Sequence, residues 1–283
     1  MLTNLSLIRS SSIRSLSLRA FSSGGVKVTE QKVKVGSVEI NYVRSSTEGG
    51  NPTKTLLFVG SAWTDFKPQI ENLPKLLPSY KIIAWDPVGY GKSIPPARNF
   101  TKDFLEKDAD DLKKLMETLQ VDKFDVLGWS DGGITGLILA GKYPEAVGKL
   151  CVFGSNAYIV DDELKIYDSI RDVSKWSARM REPLEKLYGA EYFKNNWEKW
   201  VDTFKLIHRE NGGDLCKKFL KNIKADTLIL HGEKDPMLAK EHVPYLLMSL
   251  PGSKLVTWPE GKHNIHLRYA DEFNSKVAEF LMK

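Results

Sequence analysis

Ser130 lies at the centre of a short glycine-rich motif, residues 128–132 (GWSDG), which fits the pattern G-x-S-x-G. The motif follows an apolar run at residues 124–127 and precedes a stretch with the apolar spacing of a helix. In a turn between a strand and a helix, side chains two residues before and after the serine would clash, so glycine is required there. The serine hydroxyl then projects from the turn. With a base beside it, such a hydroxyl can attack a carbonyl carbon.

A serine nucleophile needs a base, and the base needs a carboxylate that orients it. Asp235 follows an apolar run at residues 227–230, and His263 follows another at residues 254–258. The chain order Ser, Asp, His is the order of α/β-hydrolases, in which each member follows its own strand. We therefore predict a catalytic triad of Ser130 as nucleophile, His263 as base and Asp235 as the orienting acid.

The sequence contains other acids near the proposed triad. Glu233 is the main alternative to Asp235, but the turn that follows Gly232 favours the aspartate. Glu260 is expected only to cover the loop before His263. The histidines and acids do not have the spacing of a zinc site, so no metal is predicted.

His266 is the main alternative base, but it falls in the opening turn of a helix rather than in a loop after a strand. His231 ends a strand and is interpreted as a packed turn or core residue. The two remaining histidines, His208 and His242, are expected at the surface or in the cap described below.

Two backbone N–H groups are expected to stabilise the oxyanion formed in the reaction. One belongs to Asp131, at the start of the helix after the nucleophile, and the other to Ser61, in the loop after an early strand. A second glycine-rich segment, residues 86–93 (DPVGYGKS), resembles a phosphate-binding loop but has Asp86 where that motif requires glycine. We interpret it as a structural turn.

The elements that must position these residues are short strands that alternate with helices. Val33, Val35, Val38, Ile40 and Tyr42 alternate with polar residues and predict a hairpin that turns at residues 36–37. Continuous apolar runs, typical of strands covered on both faces, occur at residues 55–59, 81–85, 124–127, 149–153, 227–230 and 254–258. Helical spacing covers residues 101–119, 134–143 and 271–282. This alternation predicts an α/β fold with a mostly parallel, doubly wound sheet.

Residues 155–224 interrupt the alternation. The segment is too long for a loop without secondary structure, and it is rich in tryptophan and tyrosine. We predict a helical cap inserted into a core formed by residues 26–154 and 225–283. Most of its aromatic side chains are expected to pack in the core, and some to limit which leaving groups fit.

Residues 1–25 differ in composition from the rest of the chain. They contain eight serines, three arginines and no acid, which is typical of a mitochondrial transit peptide. A cut near Ser22 and a place in the mitochondrial matrix are therefore expected. The three arginines account for more than half of the net charge of +5, so nucleic-acid binding is not predicted. No apolar run has the length of a membrane span, and Cys151 and Cys216 are expected to be buried thiols.

From about Val26 to Lys283 the chain resembles the biphenyl hydrolase-like (valacyclovirase) serine hydrolases of the α/β-hydrolase superfamily. The motifs that carry the resemblance are residues 128–135 (GWSDGGIT), 170–177 (IRDVSKWS), 231–236 (HGEKDP), 259–264 (PEGKHN), 266–268 (HLR) and 270–274 (ADEFN).

The resemblance implies hydrolysis of α-amino-acid esters in mitochondria, with the same triad. It also implies that the carboxylate of Asp131 attracts the ammonium group of the substrate, and we expect Trp129 to contact the substrate too. The chain departs from the family at the oxyanion loop, where Val59 precedes Gly60 in place of histidine or proline, and at Val88, which replaces an arginine. These differences concern the acyl pocket and the second oxyanion donor rather than the reaction type.

The sequence thus predicts a monomeric carboxylic-ester hydrolase that acts on a small molecule and needs no cofactor. A thiolactone or an activated amide with an α-amine would suit the same site. Two alternatives remain open: a hydrolase of carbon–carbon bonds in dicarbonyl compounds, which uses the same triad, and a ligand receptor on this fold with little turnover. Turnover of aminoacyl esters, compared with esters that lack the α-amine, distinguishes the three.

Overall fold

A computed structural model describes residues 16–60 and 62–283 of the chain. Within them the strands are β1 (Leu16–Ser23), β2 (Val26–Val35), β3 (Val38–Thr47), β4 (Lys54–Val59), β5 (Tyr80–Trp85), β6 (Phe124–Trp129), β7 (Val147–Phe153), β8 (Asp226–Gly232) and β9 (Lys254–Trp258). The helices are α1 (Ala62–Asp65), α2 (Lys67–Leu76), α3 (Phe104–Thr118), α4 (Asp131–Lys142), α5 (Asp161–Ile170), α6 (Ala178–Tyr188), α7 (Ala190–Asn211), α8 (Lys217–Leu220), α9 (His242–Ser249), α10 (Ile265–Arg268) and α11 (Ala270–Met282).

The described strands form one sheet in the order β1-β2-β3-β5-β4-β6-β7-β8-β9. The first three are antiparallel, and the strands from β5 to β9 run parallel. Val35 pairs with Val38, so the β2–β3 hairpin turns at residues 36–37 as predicted. The parallel part places the carboxyl ends of β6, β8 and β9 at one edge, where ligands bind in open α/β sheets.

Helices cover both faces of the sheet, which confirms the predicted α/β-hydrolase class. In β4, Leu56 and Phe58 belong to the apolar cluster that contains α2 and α11, while Leu57 and Val59 belong to the cluster that contains α3 and α4. Successive side chains of a strand point to opposite faces, so a strand that is apolar throughout serves both clusters.

The last strand differs from that pattern. β9 lies at the edge of the sheet and is largely exposed, with only Trp258 buried among its five residues. The prediction that this run is covered on both faces is wrong, because Val256 and Trp258 pack on the apolar cluster on one face while Leu255 and Thr257 on the other face are exposed.

Between β7 and β8 the chain forms α5 to α8 and a short 3₁₀ turn at Val173–Lys175. The two segments that connect these helices to the core are bonded to each other, since the N–H of Ile159 donates to the carbonyl of Gly213 and that of Leu215 to Ala157. We call residues 155–224 the cap.

The first fifteen residues of the predicted transit peptide lie outside the described residues. The rest of that segment includes β1, which pairs antiparallel with β2 from Ser23–Val26 to Leu16–Lys32 and which sequence analysis did not predict. In the described part of the chain, no helix is long and apolar enough to cross a membrane.

Candidate active site

The turn after β6 holds Ser130 in a conformation that few residues adopt. Ser130 has φ 54° and ψ −127° and directly precedes α4. A Cβ atom on Gly132 would lie 1.9 Å from the carbonyl oxygen of Val59, and one on Gly128 would lie 2.5 Å from that of Gly132. Glycine is therefore required at both positions, because neighbouring backbone atoms leave no room for a side chain. The result is a strained turn that presents the serine side chain at the end of the sheet.

His263 connects the serine to a carboxylate. Its Nε2 lies 3.0 Å from Oγ of Ser130, and its Nδ1 lies 2.9 Å from Oδ2 of Asp235. The Asp235 carboxylate is almost entirely buried, whereas the imidazole is about one-fifth exposed. A carboxylate at Nδ1 keeps the proton on that nitrogen and leaves Nε2 free to accept the serine proton. The structure thus brings together the three residues of the predicted triad.

Short turns after β8 and β9 fix the acid and the base. The second oxygen of Asp235, Oδ1, accepts the N–H of Met237 at 2.9 Å. The N–H of Lys234 donates to the carbonyl of Gly261 at 2.8 Å and so ties the two turns together. Glu233, the alternative acid, is exposed and is not brought to the imidazole.

His266, the alternative base, has a different position. It is buried among aromatic rings, and burial lowers its pKa to about 3. Its Nε2–H donates to the carbonyl of Asp65 at 2.7 Å. This neutral imidazole therefore holds the last residue of α1.

The other histidines lie away from the serine. His231, at the end of β8, is half-buried, and burial lowers its pKa. His208 lies in the cap within 3.3 Å of Asp161. The expectation that His242 lies at the surface or in the cap is wrong: it begins α9 of the core and is completely buried beside Glu163. The two residues are 79 positions apart, so their contact could not be predicted from the sequence.

The structure describes one of the two predicted oxyanion donors. The N–H of Asp131 lies at the first position of α4, where a helix has no acceptor of its own for it. Ser61, the predicted second donor, lies outside the described residues.

A small cavity opens in front of the serine. Its lining includes Ser130, His263 and Asp131. The other lining residues come from α4, the residue after β7, the cap and the loop after Asp235: Ile134, Gly154, Asn156, Tyr167, Trp200, Phe204, Met237 and Leu238. Sequence analysis identified Ser130, His263 and Asp131 as site residues. Most of the others are apolar and carry no local signal of a site.

The Asp131 side chain faces this cavity and contacts the cap. Its Oδ2 accepts the indole N–H of Trp200 at 2.6 Å. Burial raises the pKa of Asp131 to about 6, although the Trp200 hydrogen bond and the charge of Arg98 act in the opposite direction. Arg98 itself is paired through both nitrogens with the buried Asp108, at 2.6 and 2.7 Å.

Trp129 does not line the cavity, where we expected it to contact the substrate. Its indole N–H donates instead to the backbone carbonyl of His263 at 2.9 Å, and its ring lies 5.3 Å from the imidazole and 4.6 Å from that of His266. Trp129 therefore supports the loop that carries His263 and does not line the cavity in front of Ser130.

Fewer cap aromatics are buried than expected. Trp200 and Tyr167 are buried, while Trp176, Trp197, Tyr188 and Tyr192 are only half-buried. The last two dock the cap on the glycine-rich segment at residues 86–93: the hydroxyl of Tyr188 accepts the N–H of Gly91, and that of Tyr192 donates to the carbonyl of Gly89. This segment is a docking surface within the chain, which agrees with its structural interpretation.

Among the described residues, no group of three or more histidine, cysteine, aspartate and glutamate side chains could hold a metal ion. The chemistry that the described side chains offer is that of an activated serine.

Comparisons with known proteins agree with this geometry. Residues 54–187 match the model of the alpha/beta hydrolase fold family. The chain is 47% identical to the serine hydrolase BPHL of Homo sapiens over 259 residues, which cover 91% of this chain and 88% of the human protein. It is 46% identical to the same enzyme of Mus musculus over 258 residues, again with 91% and 88% covered.

Among solved structures, the 2-hydroxy-6-oxo-6-phenylhexa-2,4-dienoate hydrolase of Rhodococcus sp. strain RHA1 superposes with a TM-score of 0.72 at 16% identity. The match covers 94% of this chain and all of that one, and it shows that the fold is shared. The chain is therefore a hydrolase of the α/β-hydrolase fold and belongs to the biphenyl hydrolase-like family of serine hydrolases.

Proposed function

We propose that this serine hydrolase cleaves esters of α-amino acids through an acyl-enzyme on Ser130. The observation that carries the proposal is the carboxylate of Asp131 in the same cavity as Ser130 and His263. An α-ammonium group is one carbon removed from the ester carbonyl, so a charge one residue from the nucleophile is at a suitable distance to meet it.

The charges around Asp131 support a cationic ligand. Burial disfavours the ionised carboxylate and raises its pKa to about 6, and the nearby guanidinium of Arg98 is already paired with Asp108. A substrate ammonium would supply the missing counter-charge, and ion pairs gain strength where water is excluded. A substrate with a carboxylate near the scissile bond would instead meet a like charge, which disfavours the dicarbonyl alternative.

In the proposed acylation step, Nε2 of His263 takes the proton of Ser130 as Oγ attacks the ester carbonyl. The backbone N–H of Asp131 donates to the oxyanion, and each such donor is worth a factor of about 10²–10³ in rate. Asp235 stabilises the imidazolium, which then protonates the leaving alcohol. The product of this step is the acylated serine.

In the deacylation step, His263 takes a proton from water, and the resulting hydroxide attacks the acyl carbonyl. The second tetrahedral intermediate collapses, the imidazolium returns its proton to Oγ of Ser130, and the amino acid leaves. Throughout both steps Asp131 would keep the α-ammonium beside the carbonyl and so orient the acyl group for attack.

Substitution of Asp131 tests the proposal. We would measure kcat/KM for a valine ester and for the 3-methylbutanoate ester of the same alcohol, with wild type and Asp131→Ala. The backbone donor survives this change, but removal of one partner of a partly desolvated charge pair costs about 2–5 kcal/mol. We expect at least a thirtyfold loss on the valine ester, equivalent to about 2 kcal/mol, and a change of only a few fold on the other.

Equal losses on both esters would contradict recognition of the amine. Rapid cleavage of dicarbonyl compounds with slow ester turnover would instead favour the carbon–carbon hydrolase, and a single turnover without further product would favour a receptor.

We also propose that the enzyme acts in mitochondria. The arginine- and serine-rich composition of residues 1–25 supports this location. A fusion of residues 1–25 to a fluorescent protein should reach mitochondria, and the mature chain should begin near Ser22, which would remove most of β1. Fluorescence spread through the cytosol would refute the proposal.

A further inference from the structure

A hydrogen bond between side chains 69 residues apart joins helix α7 of the cap to the catalytic turn. Trp200, in the middle of α7, donates its indole N–H to Oδ2 of Asp131 at 2.6 Å. Among the described residues it is the one hydrogen-bond donor to this carboxylate. An indole N–H can only donate, so it pairs with a carboxylate oxygen that carries no proton.

The indole is held firmly in its place. Trp197 stacks on Trp200 with ring centroids 5.0 Å apart and an angle of 18° between the planes, and Phe204 lies 4.6 Å away on the same helix. Tyr167 of α5 contacts the ring edge-on at 5.0 Å. The indole N–H is therefore held in position before the hydrogen bond to Asp131 forms, so the Trp200 side chain loses little conformational entropy in that bond.

This hydrogen bond has two consequences for the carboxylate. It fixes Oδ2 against the cap, while Oδ1 accepts no hydrogen bond from the described residues and belongs to a residue that lines the cavity. It also stabilises the ionised form and so lowers the pKa of a group whose pKa is raised by burial. Both effects favour the binding of an ammonium group, because an ammonium group pairs best with a carboxylate that is ionised and held in a fixed orientation.

We propose that Trp200 is the positioning residue for amine recognition: its indole N–H orients the Asp131 carboxylate and keeps it ionised, so the packing of the cap sets the preference for amino esters. The inference rests on the proposed function, since it concerns the same carboxylate and the same substrates. It assigns to a cap residue a specificity role separate from the acyl-transfer step.

Other charged and titratable groups face Asp131. Arg98, from the loop before α3, lowers its pKa; Asp108 of α3 raises it; and His263 lowers it. The hydroxyl groups of Tyr90 and Tyr167 also interact with its charge. None of these groups is itself substituted in the Trp200 variants, and an isostere of the indole also keeps the ring contact with Tyr167.

The test compares Trp200→Phe with wild type on the valine ester and the 3-methylbutanoate ester. A hydrogen bond to a charged group is worth a rate factor of about ten or more, so kcat/KM for the valine ester should fall at least tenfold at pH 7. The 3-methylbutanoate ester makes no use of the carboxylate, so any loss on it reports the changed shape of the cavity, and the loss on the valine ester should exceed it at least tenfold. The acid limb of kcat/KM for the valine ester should also move to higher pH.

Trp197→Phe is the matched control. Trp197 lies one turn away in the same aromatic stack, and its indole N–H donates to the backbone carbonyl of Ile170 instead of to Asp131. We expect this variant to affect both esters equally and to leave the pH profile unchanged. A structural role for Trp200 would give the same pattern in both variants.

Replacement of Trp200 by 3-benzothienylalanine keeps the bicyclic shape and removes only the N–H group. It should reproduce the selective loss even if Trp200→Phe folds poorly. In an Asp131→Ala background, the isostere should no longer distinguish the two esters.

The outcomes separate this inference from the proposed function. If wild type prefers the valine ester and Asp131→Ala abolishes the preference, while the isostere retains it, the proposed function stands and the role of Trp200 is refuted. If wild type shows no preference for the amine, the proposed function itself fails.

Discussion

Glu163 of the cap and His242 of the core approach each other to 2.8 Å, and neither side chain is exposed. Glu163 also accepts the N–H groups of Val160 and Ala239, both at 3.1 Å. Ala239 follows the two residues of the acid loop, Met237 and Leu238, that line the cavity. This buried carboxylate therefore fastens the first cap helix to the loop that follows Asp235.

We expect Glu163→Ala to destabilise the enzyme by about 3–5 kcal/mol, because it leaves buried polar partners unpaired. Glu163→Gln, which keeps an accepting oxygen and the side-chain volume, should cost less. Equilibrium unfolding in urea measures both, and a loss below about 1 kcal/mol for the alanine variant would show that this contact does not hold the cap.

Replacement of the nucleophile should abolish turnover. Ser130→Ala should lower ester hydrolysis by several orders of magnitude, since the members of a triad act as a unit. A fluorophosphonate probe should label wild type at Ser130 and leave the variant unlabelled. Ser155→Ala is a suitable control, because the Ser155 hydroxyl lies close by but donates to backbone carbonyls, and it should keep its labelling. Labelling at any other serine would overturn the assignment.

The two carboxylates after β8 should differ greatly in importance. Asp235→Asn should lower kcat by a factor of about 10⁴, because an amide can hold the imidazole in the wrong tautomer. Glu233→Gln should have little effect, since Glu233 is exposed and the carboxylate bonded to His263 is that of Asp235. Steady-state kinetics on one ester ranks the two variants, and the reverse ranking would identify Glu233 as the acid.

The catalytic turn and its partners could be predicted because their signals are local. Gly128 and Gly132 are required because backbone atoms of the same turn or of the neighbouring strand leave no room for a Cβ atom. Asp235 and His263 each follow a strand of recognisable composition. The parallel sheet then brings these strand ends together without any further information.

Contacts that depend on how the cap docks could not be predicted. The Trp200–Asp131 hydrogen bond and the Glu163–His242 contact join residues 69 and 79 positions apart, and neither pair has a sequence spacing that indicates contact. The surroundings of Trp129 could not be predicted for a related reason: its neighbour Ser130 interrupts the strand, so adjacent positions in the motif face different surroundings.

Asp131 should reduce the stability of the enzyme at neutral pH. Its pKa is about 6 in the folded chain, against an ordinary value of 3.8, mainly because burial disfavours the charge. A carboxyl group that binds its proton more tightly when folded contributes no penalty below the unfolded pKa, an increasing one between the two values, and the full penalty above the folded pKa. Since one pKa unit is worth about 1.4 kcal/mol, Asp131→Asn should stabilise the chain by about 1–3 kcal/mol at pH 7.5.

The amide can still accept the Trp200 hydrogen bond, so this structural contact is kept. Urea unfolding of both proteins across pH 4–8 measures the effect, and the gain should shrink as the pH falls through about 6 towards 4. A variant that is less stable than wild type at pH 7.5 would show that the charge of Asp131 is favourable to folding, and it would remove the reason to expect that a cationic substrate relieves it.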